Sequence, residues 1–308
     1  MMEQIQEKAP KKAMFLSPLR YPGSKRRLFD FLIRTLEINN LKPSFYIEPF
    51  LGGGSIALQL MQNNYVEQAI LMDLDPWITS FWSTVFFDTK WLIEAIESIE
   101  VTLHKWQEMK RADPRSVRDQ ALTCFFLNRT SFSGILEKRV GPLGGKKQKS
   151  KYKIDCRFSK EELISRISQA ALLKGKVFGI WNCSWDEGFK RIRMEQKKGI
   201  IPKADLFFYL DPPFFNQAES LYRFYFNEND HVALKNCLLK TKDKWILSYD
   251  SVDQVKALYG EALKKNSNGT KHHNIELLYS ISNGSKRKKG KEIIITNLEC
   301  LPGKLNRN

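Results

Sequence analysis

The stretch Tyr209–Asn216 reads YLDPPFFN, and it ends the apolar run Leu206-Phe207-Phe208-Tyr209-Leu210 at an acid. Pro212 excludes the α region for Asp211, and Pro213 does the same for Pro212. The strand exit is therefore stiff and extended. Neither proline has a backbone donor, while their carbonyls are free to accept. A carboxylate and a rigid carbonyl can then point at one spot beside the ring of Phe214. Such a site suits a planar base with an amino group, with two acceptors for its N–H bonds and an aromatic face for its ring. The competing reading is a proline-rich loop that covers a sheet edge. Phe215 either packs against the sheet or lines the pocket wall.

A second candidate is Glu48-Pro49-Phe50-Leu51-Gly52-Gly53-Gly54-Ser55, which follows a strand pattern at 45–50 and opens a helix pattern at 56–61. Glycines let a backbone approach a ligand closely and accept positive φ. A helix N-terminus adds unpaired N–H groups. The spacing is neither that of a dehydrogenase nor that of a P-loop, and an ordinary tight turn uses the same residues. Asp73 ends the next strand pattern, at 69–72. There a carboxylate either accepts both hydroxyls of a ribose or caps a helix, which Asp75 would do equally well.

These groups need an α/β frame to hold them. Strand, glycine loop, helix, strand and acid follow one another in dinucleotide-type order. Further strand patterns lie at 177–180, 206–210 and 245–248. Residues 275–281 and 292–296 flank the basic segment SNGSKRKKGK and predict a hairpin with a cationic tip. Between about 77 and 173 helical patterns alternate with basic, glycine-rich loops. Lys138–Arg157, KRVGPLGGKKQKSKYKIDCR, has too few apolar residues for a core element and predicts a long exposed loop or hairpin. Residues 1–15 predict a mobile tail.

With Lys+Arg at 50 and Asp+Glu at 34, the net charge is +16, which implies a polyanionic partner or a solvated basic surface. Nucleic acid is favoured over a membrane, because no amphipathic anchor accompanies the charge. No apolar stretch is long enough to span a bilayer, and no secretory signal pattern opens the chain. A cytoplasmic protein is expected. Five scattered cysteines without a Cys-x-x-Cys pair predict reduced thiols and no zinc site.

Taken together, the motifs resemble the Dam-like DNA adenine N6-methyltransferases. The likeness runs from Arg20-Tyr21-Pro22-Gly23-Ser24-Lys25 through Glu48–Gly54, Asp73 and Asn128-Arg129-Thr130-Ser131-Phe132-Ser133-Gly134. It continues through Asp211–Phe214, Leu247-Ser248-Tyr249-Asp250 and Lys291–Asn297. The order of these motifs is specific, and they span residues 15 to 300. Two departures stand out. Tyr21, Pro22 and Ser24 replace residues of a motif that often carries Trp and two glycines. Asn182-Cys183-Ser184-Trp185 stands where an acid and Phe are usual, so the acid for the cofactor's adenine amino group is missing or replaced by Ser184.

The resemblance implies a Rossmann-like methyltransferase sheet of mostly parallel strands with an antiparallel C-terminal strand. A mainly helical recognition insertion would occupy 77–173, and the catalytic domain 1–76 and 174–308. It implies S-adenosylmethionine as cofactor and transfer to N6 of an adenine flipped out of duplex DNA. Asp211, Pro212, Pro213 and Phe214 would be catalytic. Tyr21, Pro22, Gly23, Lys25, Glu48, Pro49, Phe50, Gly52, Gly53, Gly54 and Ser55 would form the cofactor site with Asp73, Ser184, Trp185 and Asp211. Lys25 would pair with the cofactor's carboxylate. Arg20, Asn128, Arg129, Ser131, Lys146, Lys147, Lys149, Lys151, Lys153, Lys286, Arg287 and Lys288 would meet DNA. A monomer with a cognate restriction endonuclease is the expected setting. An RNA adenine methyltransferase and a catalytically silent DNA-binding protein are the alternatives.

Overall fold

The computed structural model describes residues 17–21, 25, 28–216, 218–264, 269–278 and 289–302. Among these, seven strands form one sheet in the order β3-β2-β1-β4-β5-β7-β6. They are β1 (Phe45–Glu48), β2 (Gln68–Asp73), β3 (Val177–Asn182), β4 (Leu206–Leu210), β5 (Lys244–Asp250), β6 (Lys271–Leu278) and β7 (Lys289–Thr296). Strands β1 to β5 run parallel. Strand β7 lies antiparallel between β5 and β6. The expected C-terminal hairpin is present, although its first strand begins at Lys271 rather than at residue 275.

The sequence explains the placement of β4. Its five residues, LFFYL, are all buried, as a strand covered on both faces must be. Alternation then sorts them. Phe207 and Tyr209 join the core on one side of the sheet, and Leu206, Phe208 and Leu210 the core on the other. Each fully buried aromatic of this size contributes roughly 2–3 kcal/mol of hydrophobic stabilisation.

The first side is covered by α1 (Phe29–Ile38), α2 (Ser55–Gln62) and α3 (Pro76–Phe87). The helices α4 (Thr89–Ser98), α5 (Leu103–Arg111), α6 (Val117–Thr130) and α7 (Lys160–Ala171) continue that core, and Phe81 of α3 stacks on Phe125 of α6 at 5.7 Å. The opposite side is covered by α8 (Trp185–Lys197), α10 (Glu228–Lys240) and α11 (Asp253–Lys264). The short α9 (Ala218–Leu221) follows the Asp-Pro-Pro-Phe stretch.

The exposed basic loop of 138–157 is held by a side chain that the sequence did not single out. Gln148 donates to the carbonyls of Leu143 (2.6 Å) and Gly145 (2.7 Å) and accepts from Ile154 N–H at 2.9 Å. Ile154 and Phe158 then anchor the loop's end in the core. Cationic side chains thus stand on a pinned frame. No helix among the described residues is long and apolar enough to cross a membrane.

Candidate active site

In this sheet the strand order reverses between the parallel β1 and β4, and the crevice at their carboxyl ends is where α/β sheets bind ligands. The glycine loop after β1 and Asp211 after β4 both open there.

The glycine loop is tightly braced. Gly52 and Gly54 take φ of 44° and 62°, which L side chains rarely adopt. Gly52 N–H donates to Asp73 Oδ2 at 2.8 Å, and its carbonyl accepts from Trp82 Nε1 at 2.9 Å. A Cβ at Gly52 would lie 2.6 Å from Tyr21 Cε1, and one at Gly53 2.9 Å from Tyr21 Cβ. Tyr21 therefore lies directly on the loop. Glu48 is buried beneath it, accepting from Tyr46 Oη at 2.7 Å and from the N–H of Ala57 in α2. Burial raises its pKa to about 8. Glu48 braces the loop. Pro49 is buried with it, and half-buried Phe50 packs edge-on against Phe226 at 5.5 Å. Ser55 begins α2.

Asp73 and Asp75 divide the tasks that the sequence left open. Asp75 caps α3 by accepting from Trp77 N–H at 2.9 Å. Asp73 accepts from Asp75 N–H at 2.9 Å through its other oxygen, so it ties β2 to the glycine loop. Burial, followed by the charge of Asp75, raises the Asp73 pKa to about 7.

At the other wall, Ser248 Oγ donates to Asp211 Oδ1 at 2.9 Å. Lys25 Nζ lies 3.2 Å from the same oxygen and 3.1 Å from Glu292 Oε1. Both partners use Oδ1, which leaves Oδ2 without one among the described residues. No described residue donates to the Pro212 carbonyl. Burial raises the Asp211 pKa, against the opposing pull of Lys25 and Ser248. Burial also works against the Lys25 ammonium, but Asp211 and Glu292 outweigh it and keep the lysine charged. Lys25, expected to meet a cofactor carboxylate, meets two of the chain's own.

Aromatic rings join the two walls. Phe214 lies edge-on to Tyr222 at 6.1 Å, and Tyr222 lies 5.9 Å from Tyr21. Arg223 then pairs with Asp75 at 2.6 Å and stacks on Trp77 at 3.6 Å. Residues 214–216 and 218–223 thus link the end of β4 to the end of β2. Tyr222 and Arg223 escaped the sequence reading. Their one signal was an aromatic and a cation close behind the catalytic motif. Phe215 turns to the opposite side and stacks on His231 at 4.4 Å, which decides its place against the sheet.

Other expected site residues are placed differently. Asn128 is fully buried and bonds residue 20 as a strand would. It accepts from Arg20 N–H at 2.7 Å and donates to the carbonyls of Arg20 (2.6 Å) and Gly134 (2.7 Å). Arg129 is buried and donates to the Arg157 carbonyl at 2.8 Å, and Ser131 accepts from Trp106 Nε1 at 3.0 Å. The expectation that these three side chains meet DNA is corrected: they are turned inward, Asn128 and Arg129 tying the end of α6 to residues 17–21 and Ser131 bonding Trp106 of α5. Arg20 is half-buried beside Arg157, and both burial and that neighbouring charge lower its pKa.

Ser184 is the N-cap of α8, in a capping box with Glu187. Trp185 lines a groove between α8 and α10 with Phe189, Arg193 and Cys237. Lys146, Lys147, Lys149, Lys151 and Lys153 are all exposed, and none has an ion-pair partner among the described residues. Pro22, Gly23, Lys286, Arg287 and Lys288 lie outside the described residues.

With this geometry in place, comparison with known proteins identifies the family. A model of the D12 class of N6 adenine-specific DNA methyltransferases matches residues 21–281. The chain belongs to that family. It is also similar to the Type II methyltransferase M.MjaIII of Methanocaldococcus jannaschii, with 27% identity over 135 residues. That likeness covers 38% of this chain and 46% of the relative, so it spans about half the relative's length. Among solved structures, a proposed RNA methyltransferase from Pyrococcus horikoshii is 10% identical with a TM-score of 0.41, covering 91% of this chain and 87% of that one. A precorrin 8w decarboxylase from Methanobacterium thermoautotrophicum is 11% identical with a TM-score of 0.38, covering 92% and 96%. Neither structural likeness carries a functional argument.

Proposed function

We propose that this D12-class chain transfers a methyl group from S-adenosylmethionine to N6 of an adenine flipped out of duplex DNA. The observation that carries the reading is a pair of acceptors without a donor among the described residues, Asp211 Oδ2 and the Pro212 carbonyl, at the crevice between β1 and β4. The amino nitrogen of adenine is a poor nucleophile, because its lone pair is delocalised into the ring. Two acceptors on its N–H bonds favour a pyramidal nitrogen and stabilise the positive charge that develops on it. Phe214 offers the stacking face.

The donor set opposite fits the cofactor. Asp73 at the end of β2 suits a ribose diol, and the glycine loop with Tyr21 lying on it would take the methionine moiety. When bound, the cofactor supplies an electrophilic methyl group. The chain's own residues orient the amino group and hold charge near it. DNA would be gripped by the insertion at 77–173, with the lysines of its pinned loop meeting phosphates. The base of that loop is linked to residues 218–223, because Arg139 donates to the Glu219 carbonyl at 3.1 Å. Cytoplasmic action as a monomer, beside a cognate restriction endonuclease, completes the proposed setting.

The test is incubation with labelled S-adenosylmethionine and either duplex DNA or structured RNA. Label on DNA adenine is expected, and label on RNA alone would overturn the DNA assignment. Asp211→Ala should abolish transfer and retain DNA binding. Turnover by that variant at the wild-type rate would remove Asp211 from its role.

A further inference from the structure

The residue nearest this machinery without an assigned task is Glu292, on β7. Its side chain is fully buried, and neither carboxylate oxygen has an aligned hydrogen-bond partner among the described residues. An acid so placed is costly unless a charge compensates it. The compensation is Lys25, whose Nζ lies 3.1 Å from Glu292 and 3.2 Å from Asp211. One ammonium thus serves two carboxylates, and the cluster carries one net negative charge when both are ionised. Among the described residues, the remaining titratable groups around it are Asp250, which faces Glu292 across the β5–β7 ladder, and Tyr209 and Tyr222 near Lys25.

A core strand has no structural need of an acid at this position. Its neighbours Ile293, Ile294 and Ile295 show what the sheet otherwise selects. If Lys25 served Asp211 alone, the full positive charge would sit on the oxygen pair that must accept the substrate's N–H. The acceptor would then weaken just where positive charge has to be stabilised.

We propose that Glu292 is a positioning residue for methyl transfer: it draws Lys25 partly to itself, so that Lys25 holds Asp211 in place without neutralising it. The inference rests on the methyltransferase reading. It also gives the closing strand a part in the reaction. Burial raises the Glu292 pKa to about 8, against the pull of Lys25. Below that pH a proton on Glu292 leaves Lys25 to Asp211. Above it the ionised Glu292 shares the lysine, and Asp211 becomes the stronger acceptor. The wild-type kcat should therefore rise with pH through this range.

The experiment compares wild type, Glu292→Gln and Glu292→Asp over that range, with duplex DNA and labelled S-adenosylmethionine at saturation. Glutamine keeps the shape and loses the charge. Its kcat is expected to fall about tenfold at the alkaline end, the size of one weakened charge-assisted hydrogen bond. The rise with pH should vanish, while KM for the cofactor stays within about threefold. Glu292→Asp should restore the rise in part. A purely structural role would lower Tm in both variants and leave the pH profile of the surviving activity in place, and that result overturns the proposal.

Should Glu292→Gln fail to fold, carbon-13 titration of the Glu292 carboxyl in the wild type decides instead. Titration near pH 8 that vanishes from the spectrum of Lys25→Met supports the coupling. Titration in the ordinary glutamate range overturns it. A wild type that methylates neither DNA nor RNA would refute the underlying function, whereas an active wild type with an equally active Glu292→Gln refutes this inference alone.

Discussion

At Gly52 a single methyl group would disturb the glycine loop directly. Its φ of 44° and the 2.6 Å that would separate a Cβ there from Tyr21 leave no room for a side chain. In Gly52→Ala, Tyr21 and the loop must move apart, and the N–H that holds Asp73 moves with them. Cofactor affinity, measured by calorimetry, should fall at least about tenfold, equivalent to roughly 1.4 kcal/mol. Ser248 tests the other wall. Ser248→Ala removes a neutral donor from Asp211 Oδ1 but leaves Lys25 in place. A net loss of about 1 kcal/mol predicts a several-fold fall in kcat with cofactor affinity unchanged. A loss as large as that of Asp211→Ala would mean that Ser248 takes part in the reaction itself.

Among the elements, α10 meets the sheet through a buried imidazole. His231 Nδ1 lies 2.6 Å from Tyr249 Oη of β5, and its ring stacks on Phe215 just past the catalytic motif. Burial lowers the His231 pKa to about 4. Between that value and the ordinary value near 6.5 the unfolded chain binds a proton that the folded chain refuses, so stability falls as pH falls through the window. His231→Phe should flatten this limb in urea unfolding, at a cost of about 1–3 kcal/mol near neutral pH from the unpaired Tyr249 hydroxyl. An undiminished acid limb in the variant would assign the slope to other groups. Elements of this kind also divide what the sequence revealed from what it concealed. Apolar runs bounded by Gly, Pro and acid marked out β1, β2, β4 and β5, because local pattern and burial agree there. Asn128 and Arg129 misled, because a polar side chain on a helix end does not show whether its partner is DNA or the chain's own backbone more than a hundred residues earlier, and Ser131 misled because its partner, the Trp106 indole, lies on the preceding helix. Ser184 stays open for a related reason, since an N-cap and a ligand contact call for the same oxygen.

For the whole molecule the decisive quantity is charge. An excess of 16 cations has to be either solvated or spent on a polyanion, and the lysines of 146–153 are exposed on a loop pinned by Gln148. If they neutralise phosphates, each contact releases a counterion, and the logarithm of the binding constant falls with the logarithm of salt concentration by about 0.9 per phosphate. With about six or more contacts, affinity for duplex DNA should drop roughly a thousandfold between low and moderate ionic strength. Converting Lys146, Lys147, Lys149 and Lys151 together to Gln should weaken binding on any sequence and make that slope shallower by several units. Cofactor affinity should not change, because these exposed side chains make no bond to the glycine loop or Asp73 among the described residues. Fluorescence anisotropy across a salt series reads the DNA affinity and its slope, and calorimetry reads the cofactor. A slope equal to that of wild type would leave these cations as a solvated surface and move the DNA groove to another face of the insertion.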